Sequence, residues 1–292
     1  MPTAPARTGL PEVRPLTDRE FRLFQALVLE QSGIHLTDVK RALLVGRLSK
    51  RLRELGLESF EAYYRLIVDG PDKEERVRMI NCICTHETHF FREPKQWELL
   101  EQTVLPRWRE QGEAGERPRR IRAWSAACSS GEEPFTLAMS LLAHLPASWD
   151  IEILATDLST AVLERARQAI WSIEKAAEIP ADYLKRFMLR GRTDHGGTYA
   201  GRMKAGPALR QVVKFQQHNL NESHAVPGAP FDLIFCRNVL IYFSPESKPR
   251  VIDHLLSQLA PAGMLFLGHA ESLNGINARV RGVIPSVYRF AP

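Results

Sequence analysis

The sequence predicts an α/β protein: a doubly wound, mainly parallel sheet preceded by a small all-helical domain and interrupted by an inserted antiparallel β-subdomain. Three observations predict this. Apolar residues recur at helical spacing from Thr17 to Cys84. After Arg92, short apolar runs alternate with helical stretches, the pattern of a parallel sheet. Between Gly191 and Gln216 the chain turns Gly-rich and carries short β-like runs such as QVVKF.

The opening stretch MPTAPARTGLPEV is Pro- and Ala-rich, and residues 1–15 are expected to be a disordered lead-in without the apolar core of a secretory signal. Thr17 and Glu20 have capping-box spacing and open a helix carrying Phe21, Phe24, Leu27 and Val28. Asp38 is the expected cap of a second helix, with a stripe of Leu44, Leu48, Leu52 and Leu55 and a stop at Gly56. Helices over Ser59–Val68 and Lys73–Ile83 complete a helical domain placed at residues 16–86. The remaining residues, 87–292, begin with a helix near Lys95–Arg109. The strand IRAWSA, a small-residue loop and a helix from Glu132 follow. Then come the strand IEILATD, a helix from Thr160 to Ala169, the strands FDLIFC and MLFLG around a helix at Pro249–Leu259, and SVYRF as an antiparallel edge strand. The inserted β-subdomain is placed at residues 192–216.

Composition narrows the function. The chain has 292 residues, 44% hydrophobic and 25% charged, which is ordinary for a globular protein. No apolar run reaches the roughly 20 residues of a membrane span. Four scattered cysteines make no disulfide framework, so reduced thiols and a cytoplasmic location are expected. A net charge of +5 points to an acidic partner without choosing among nucleic acid, membrane and protein.

Four segments carry chemistry. In WSAACSSGEEP a strand runs through Ala126, Ala127, Ser129, Ser130 and Gly131 into a helix, so a ligand can approach the backbone at the carboxyl end of the sheet. The loop has neither G-x-G-x-x-G nor G-K-[ST]. Glu132 and Glu133 at the helix start would repel a pyrophosphate but suit an ammonium and a sulfonium, which favours S-adenosylmethionine over a dinucleotide. Asp157, closing the next strand, stands where both ribose hydroxyls could be accepted, although an N-cap has the same position. CRNVLIYF puts Arg237, Asn238 and Tyr242 after a buried strand, facing the crevice by topology. THETHFFREP crowds His86, Thr88, His89 and Arg92 beside Phe90 and Phe91 at the boundary of the two regions. Cys82, Cys84, His86 and His89 lie too close in sequence for a zinc knuckle, and no metal is expected.

THETHFFREP, WSAACSSGEEPF, ILATDLS, IFCRNVLIYF and LGHAESL resemble, in order and spacing, the CheR-type chemotaxis receptor glutamate methyltransferases, from about Leu16 to Phe290. The resemblance implies a class I (Rossmann-like) methyltransferase sheet, S-adenosylmethionine as donor and S-adenosylhomocysteine as product. It also implies donor-binding roles for His86, Thr88, Arg92, Glu133, Asp157, Asn219, Leu220, Arg237 and Asn238. Histidine at 86 departs from the asparagine of many members, and the 192–216 segment looks longer than in the enterobacterial type. That leaves open whether it docks a receptor C-terminal pentapeptide.

A glutamate acceptor is already ionised at neutral pH, so methyl transfer needs alignment rather than a general base. Arg92 and Tyr242 are the catalytic candidates, orienting the acceptor carboxylate and the reacting end of the donor. On the second helix Lys40, Arg47, Lys50 and Arg51 share one face, expected to dock the acidic cytoplasmic helices of chemoreceptors. The expected protein is a monomer that neither inserts in the membrane nor binds nucleic acid. A methyltransferase acting on RNA or another protein is the alternative, disfavoured by the lack of interleaved aromatics and RNA-binding motifs. A non-enzymatic adaptor and a nicotinamide oxidoreductase are weaker still, given the intact acidic residues and the missing dinucleotide glycines.

Overall fold

The computed structural model describes residues 13–191, 199–273 and 277–291. Most of the expected lead-in and the first part of the expected 192–216 insertion therefore lie outside the described residues. The chain divides into two compact units, Met1–Thr85 and His86–Pro292.

The first unit holds four helices: α1 (Asp18–Ser32), α2 (Arg41–Glu54), α3 (Phe60–Asp69) and α4 (Lys73–Ile83). The Thr17 hydroxyl accepts from Glu20 N–H at 3.2 Å, and the Glu20 carboxylate accepts from Thr17 N–H at 2.8 Å, completing the capping box. The other Glu20 oxygen accepts from Glu61 N–H at 2.8 Å and ties α1 to α3. Phe24 packs edge-on against Phe60 and stacked against Tyr63, and Leu44, Leu48 and Leu52 of α2 are fully buried. Asp38 does not cap α2. It opens a separate 3-10 turn, Asp38–Lys40, that leads into the helix without a side-chain cap. Leu55 ends the helix, and Gly56 turns the chain at φ +69°.

The second unit opens with α5 (Pro94–Leu99), one π turn (Leu100–Val104) and α6 (Leu105–Glu113). The main sheet then begins with β1 (Arg120–Ala126), α7 (Glu132–His144), β2 (Asp150–Asp157) and α8 (Thr160–Gln168). The inserted small sheet comprises β3 (Ile170–Ser172), β4 (Met188–Arg190) after α9 (Ala181–Phe187), and β5 (Arg202–Ala205). The main sheet resumes with α10 (Pro207–Val212), β6 (Val213–Gln217), β7 (Phe231–Cys236), α11 (Ser247–Ser257), β8 (Leu259–Leu267), β9 (Val280–Ile284) and β10 (Val287–Phe290).

Seven strands pair in the order β6-β2-β1-β7-β8-β10-β9, parallel from β6 through β8, with β10 antiparallel to both neighbours. The inserted sheet is antiparallel, in the order β3-β5-β4. Two boundaries differ from the sequence reading. The run QVVKF does not belong to the insertion: Val213–Gln217 pairs in parallel with β2 and forms the edge of the main sheet. The insertion instead starts at Ile170, whose three-residue strand is too short to show a period. SVYRF is antiparallel as expected but is not the edge, because Val280–Ile284 pairs outside it.

Side-chain alternation loads both faces of the sheet. Ile121, Ala123, Leu233, Phe235, Met264 and Phe266 pack on the side of α6 and α7. Trp124, Ala126, Ile234, Cys236, Leu265 and Leu267 pack on the side of α11. Phe266, Phe235 and Trp97 stack face to face with centroids 4.3 and 5.1 Å apart, and the stack leads to the carboxyl end of β7.

Candidate active site

Backbone strain marks the carboxyl ends of the central strands. Of the seven described non-glycine residues with positive φ, five lie here: Phe91, Glu93, Ala127, Ser129 and Asn238. Each such residue costs on the order of 1 kcal/mol or more and persists only where its surroundings hold it.

After β1 the chain folds back at Ala127 and Cys128, whose N–H groups both donate to Thr156 O at 2.8 Å. Gly131, at φ +98°, then starts α7, where any Cβ would stand 3.2 Å from that of Ala166. Asp157 ties this loop to the next. Its two oxygens accept from Ser129 N–H and Ser159 N–H, each at 2.9 Å. It is not the N-cap of α8; Ser159 performs that role through its hydroxyl. Burial pushes the Asp157 carboxyl up, against the peptide N–H groups and His86, which pull it down. His218 N–H donates to Asp157 O at 3.1 Å, which places Asn219 and Leu220 beside the end of β2. Asn219 closes a local turn by accepting from Asn221 N–H at 3.1 Å, and Leu220 is buried.

The two glutamates at the start of α7 part company, as successive residues on a helix must. Glu132 is 1% exposed and paired with Lys175 at 2.9 Å, so it supports the loop rather than facing a ligand. Glu133 accepts from the Ser125 hydroxyl at 2.7 Å and faces Arg237 at 3.5 Å. Burial raises the Glu133 carboxyl above the usual range, and the Arg237 charge opposes the rise.

Arg237 is the hub. Its side chain is 2% exposed and lies 3.4 Å from Glu93 and 3.5 Å from Glu133. It donates to Arg92 O and stands 5.6 Å over the Trp97 ring. The guanidinium thus fixes two carboxylates, and its own Nε has no partner in the protein. Beyond it, Asn238 is left-handed at φ 58° and reaches Glu93 through Nδ2 at 3.5 Å, while its buried Oδ1 has no partner in the protein. Tyr242 follows, half-buried, at the end of the 3-10 turn Leu240–Tyr242.

The 86–94 segment crosses this end of the sheet, anchored by its backbone. His86 O accepts from the Ser129 hydroxyl at 3.1 Å, and Thr88 O from Lys175 at 3.0 Å. Phe91 N–H donates to the Thr136 hydroxyl at 3.2 Å. Arg92 donates to Glu87 O at 3.2 Å, and its charge reaches Glu133. Hydrogen bonds and ion pairs thus link these residues in two groups: His86 to Asp157 through Ser129, and Arg92, Glu133 and Asn238 through Arg237 and Glu93. Sequence reasoning missed two members, Glu93 and Glu271, although both stand inside motifs it quoted. Glu93 accepts from His269 N–H at 2.9 Å, and Glu271 from Asn238 N–H at 2.9 Å.

The expected basic face of α2 is not one surface. Arg47 is turned onto the carboxyl end of α4, donating to Ile83 O, to Cys84 O at 3.0 Å and to the Thr85 hydroxyl at 3.1 Å. Arg51 grips Glu75 through two nitrogens at 2.9 and 2.6 Å, and Tyr63 donates to the same carboxylate at 2.9 Å. Both guanidiniums satisfy buried acceptors that periodicity cannot reveal. Lys40 lies against His35 O at 3.3 Å, and Lys50 stands 82% exposed, 4.0 Å from Glu54. Among the described residues, no three His, Cys, Asp or Glu side chains form a metal shell, and no helix is long and apolar enough to cross a membrane.

A sheet of this strand order, with its antiparallel β10 placed inside the edge, has the class I methyltransferase architecture. Residues 86–287 match the family model described as the CheR methyltransferase SAM-binding domain, so the donor class is S-adenosylmethionine. Residues 19–84 match the CheR methyltransferase all-alpha domain. The chain belongs to the CheR methyltransferase family. It is 37% identical to chemotaxis protein methyltransferase 2 of Pseudomonas aeruginosa over 93% of each chain. It is also 37% identical to the chemotaxis protein methyltransferase of Escherichia coli, over 90% of this chain and 88% of that one. With the Borreliella burgdorferi chemotaxis protein methyltransferase it shares 32% over 94% of this chain and 95% of that one.

Proposed function

We propose that the chain methylates glutamate side chains in the cytoplasmic helices of chemoreceptors, forming glutamyl methyl esters. The observation that carries the reading is the acidic network at the strand ends, Glu133 and Asp157 braced by Arg237 and peptide N–H groups. These residues fit a cationic methyl donor. Glu133 would serve its ammonium and Asp157 its ribose, with His86, Thr88, Asn219 and Leu220 lining the remainder. The buried Asn238 Oδ1 has acceptor capacity that the protein leaves unused. The donor supplies an electrophilic methyl group on a sulfonium.

What remains for the protein is alignment and exclusion of water. An ordinary glutamate, with pKa about 4.3, needs no base at pH 7. Arg92, half-buried and anchored at Glu87 O, would steer the incoming carboxylate, and Tyr242 would orient the reacting ends. On α2, Lys50 is a cation that an acidic helix would meet in solvent, whereas Arg51 is committed to Glu75.

Incubation with methyl-labelled donor and receptor cytoplasmic domains should give label released as methanol by mild alkali. Alkali-stable label would show a different acceptor. Tyr242→Phe and Arg92→Ala should each slow single-turnover transfer at saturating donor by 10-fold or more. Unchanged rates would remove both residues from the mechanism.

A further inference from the structure

We propose that Glu271 is a positioning residue for methyl transfer: its buried carboxylate sets the shape of the turn after β7, and through it the placement of Asn238 and Tyr242. The inference rests on the active-site reading above.

Glu271 is 6% exposed, yet its carboxylate is well solvated by peptide groups. One oxygen accepts from Gly268 N–H at 2.6 Å and Asn238 N–H at 2.9 Å, the other from Ile241 N–H at 3.3 Å. Leu240 N–H adds to the same cradle. The loops that leave β7 and β8 are therefore tied through one anion. Burial pushes the Glu271 carboxyl up, and these four peptide dipoles pull it back.

The geometry around it leaves little slack. Asn238 holds φ 58°, a conformation that asparagine tolerates but does not favour, and its N–H points at Glu271. Gly268 admits no side chain: a Cβ there would lie 2.6 Å from Asn238 N and Nδ2 and 2.8 Å from the Glu271 carboxylate. Glu93 closes the other side, taking His269 N–H at 2.9 Å and Asn238 Nδ2 at 3.5 Å. Asn238 is thus held by two carboxylates, Glu271 at its backbone N–H and Glu93 at its side chain, neither of which need touch donor or acceptor. The turn that Glu271 closes ends at Tyr242.

A carboxylate is required because every contact is a peptide donor. Glutamine would keep one acceptor oxygen and oppose the remaining N–H groups with an NH₂; aspartate would fall a methylene short. The test uses the full-length chain carrying Glu271→Gln or Glu271→Asp. Folding is checked by circular dichroism and melting, S-adenosylhomocysteine binding by calorimetry, and methyl transfer by single turnover at saturating donor.

The expected result for Glu271→Gln is a folded protein whose transfer rate at saturating donor falls 10-fold or more. Its apparent affinity for the receptor domain should stay within about twofold, a split that mere loss of stability does not produce. The amide proton resonances of Asn238 and Ile241 should move upfield as their charged acceptor is lost. A rate within twofold of wild type in a folded variant overturns the proposal. So does failure of both variants to fold, which would make Glu271 part of the scaffold. Failure of the underlying reading shows separately: wild type would not bind S-adenosylhomocysteine, or Asp157→Ala would bind it unchanged.

Discussion

Arg237→Met replaces the cation at the centre of the site with an apolar chain of similar length, and its cost can be estimated in two ways. Arg237 is 2% exposed and its partners Glu93 and Glu133 are 15% and 14% exposed, so solvent screens these contacts little. Removing one partner from a buried ion pair costs about 3–5 kcal/mol, because the other charge is left uncompensated. Alternatively, an orphaned carboxyl takes up a proton. For a reference pKa of about 4.3, doing so at pH 7 costs about 3.7 kcal/mol at 1.36 kcal/mol per pH unit. The two estimates agree. For a unit of this size each kcal/mol moves Tm by about 2–4 °C, so the variant should melt roughly 6–20 °C below wild type at pH 7.

The pH dependence gives the sharper test. Burial already raises the Glu133 carboxyl in the folded state, and loss of Arg237 raises it further. A carboxyl whose folded pKa exceeds its unfolded one destabilises the protein only above the unfolded value, and increasingly as pH rises toward the folded value. At pH 5 the same proton uptake costs about 1 kcal/mol, so the deficit should shrink to about a quarter. Differential scanning calorimetry at both pH values measures it, and Arg237→Met combined with Glu93→Gln and Glu133→Gln should recover much of the loss. A deficit under about 2 °C, or one equal at pH 7 and pH 5, would refute the hub role of Arg237.

His218 and His254 are buried 5.7 Å apart, with Trp124 against both and His224 and Glu222 nearby; burial lowers both imidazoles, and only Glu222 favours the charged form of His218. Depressed bases stabilise the fold above the ordinary histidine pKa of about 6.5 and lose that stability as pH falls toward their folded values, so Tm should drop between pH 7 and 5.5, and less steeply in His254→Leu. Equal slopes would discount the pair. Charge reversal at Arg51 should unfold the helical unit by setting a carboxylate against Glu75, which is 3% exposed, whereas Lys50→Glu should shift stability by no more than about 0.5 kcal/mol. Protease sensitivity of residues 18–83 distinguishes the two, and a folded Arg51→Glu protein would contradict the ion-pair assignment.

Elements set by local patterning were legible in the sequence. The capping box at Thr17, the stripe at Leu44, Leu48 and Leu52, and the strands IRAWSA and FDLIFC depend on spacing within one segment. What could not be read was pairing. QVVKF looks the same whether it pairs with β2 or within the insertion, and SVYRF gives no sign that Val280–Ile284 lies outside it. The same limit applies to side chains. Spacing put Arg51 on a basic face, but a partner 24 residues away claimed it. Glu271 lies in a quoted motif, yet its bond to Asn238 spans 33 residues.

The charge arrangement explains how a site built from carboxylates could receive the acidic substrate proposed above. Asp157 and Glu271 are balanced mainly by peptide N–H groups, and Glu132 by Lys175. Glu93 and Glu133 share Arg237. Five acidic side chains thus present much less negative charge than their number suggests, while the carboxylate oxygens still favour a cation at the strand ends. On the proposed reading, methyl transfer unites an anion and a cation to leave two neutral groups, so a transition state of dispersed charge gains from a site shielded from water. A mobile catalytic carboxylate would compete for the methyl group. On the same proposed reading, pinning Glu93, Glu132, Glu133 and Glu271 with N–H donors or buried cations withholds those nucleophiles and leaves the substrate carboxylate that Arg92 would guide as the group free to react.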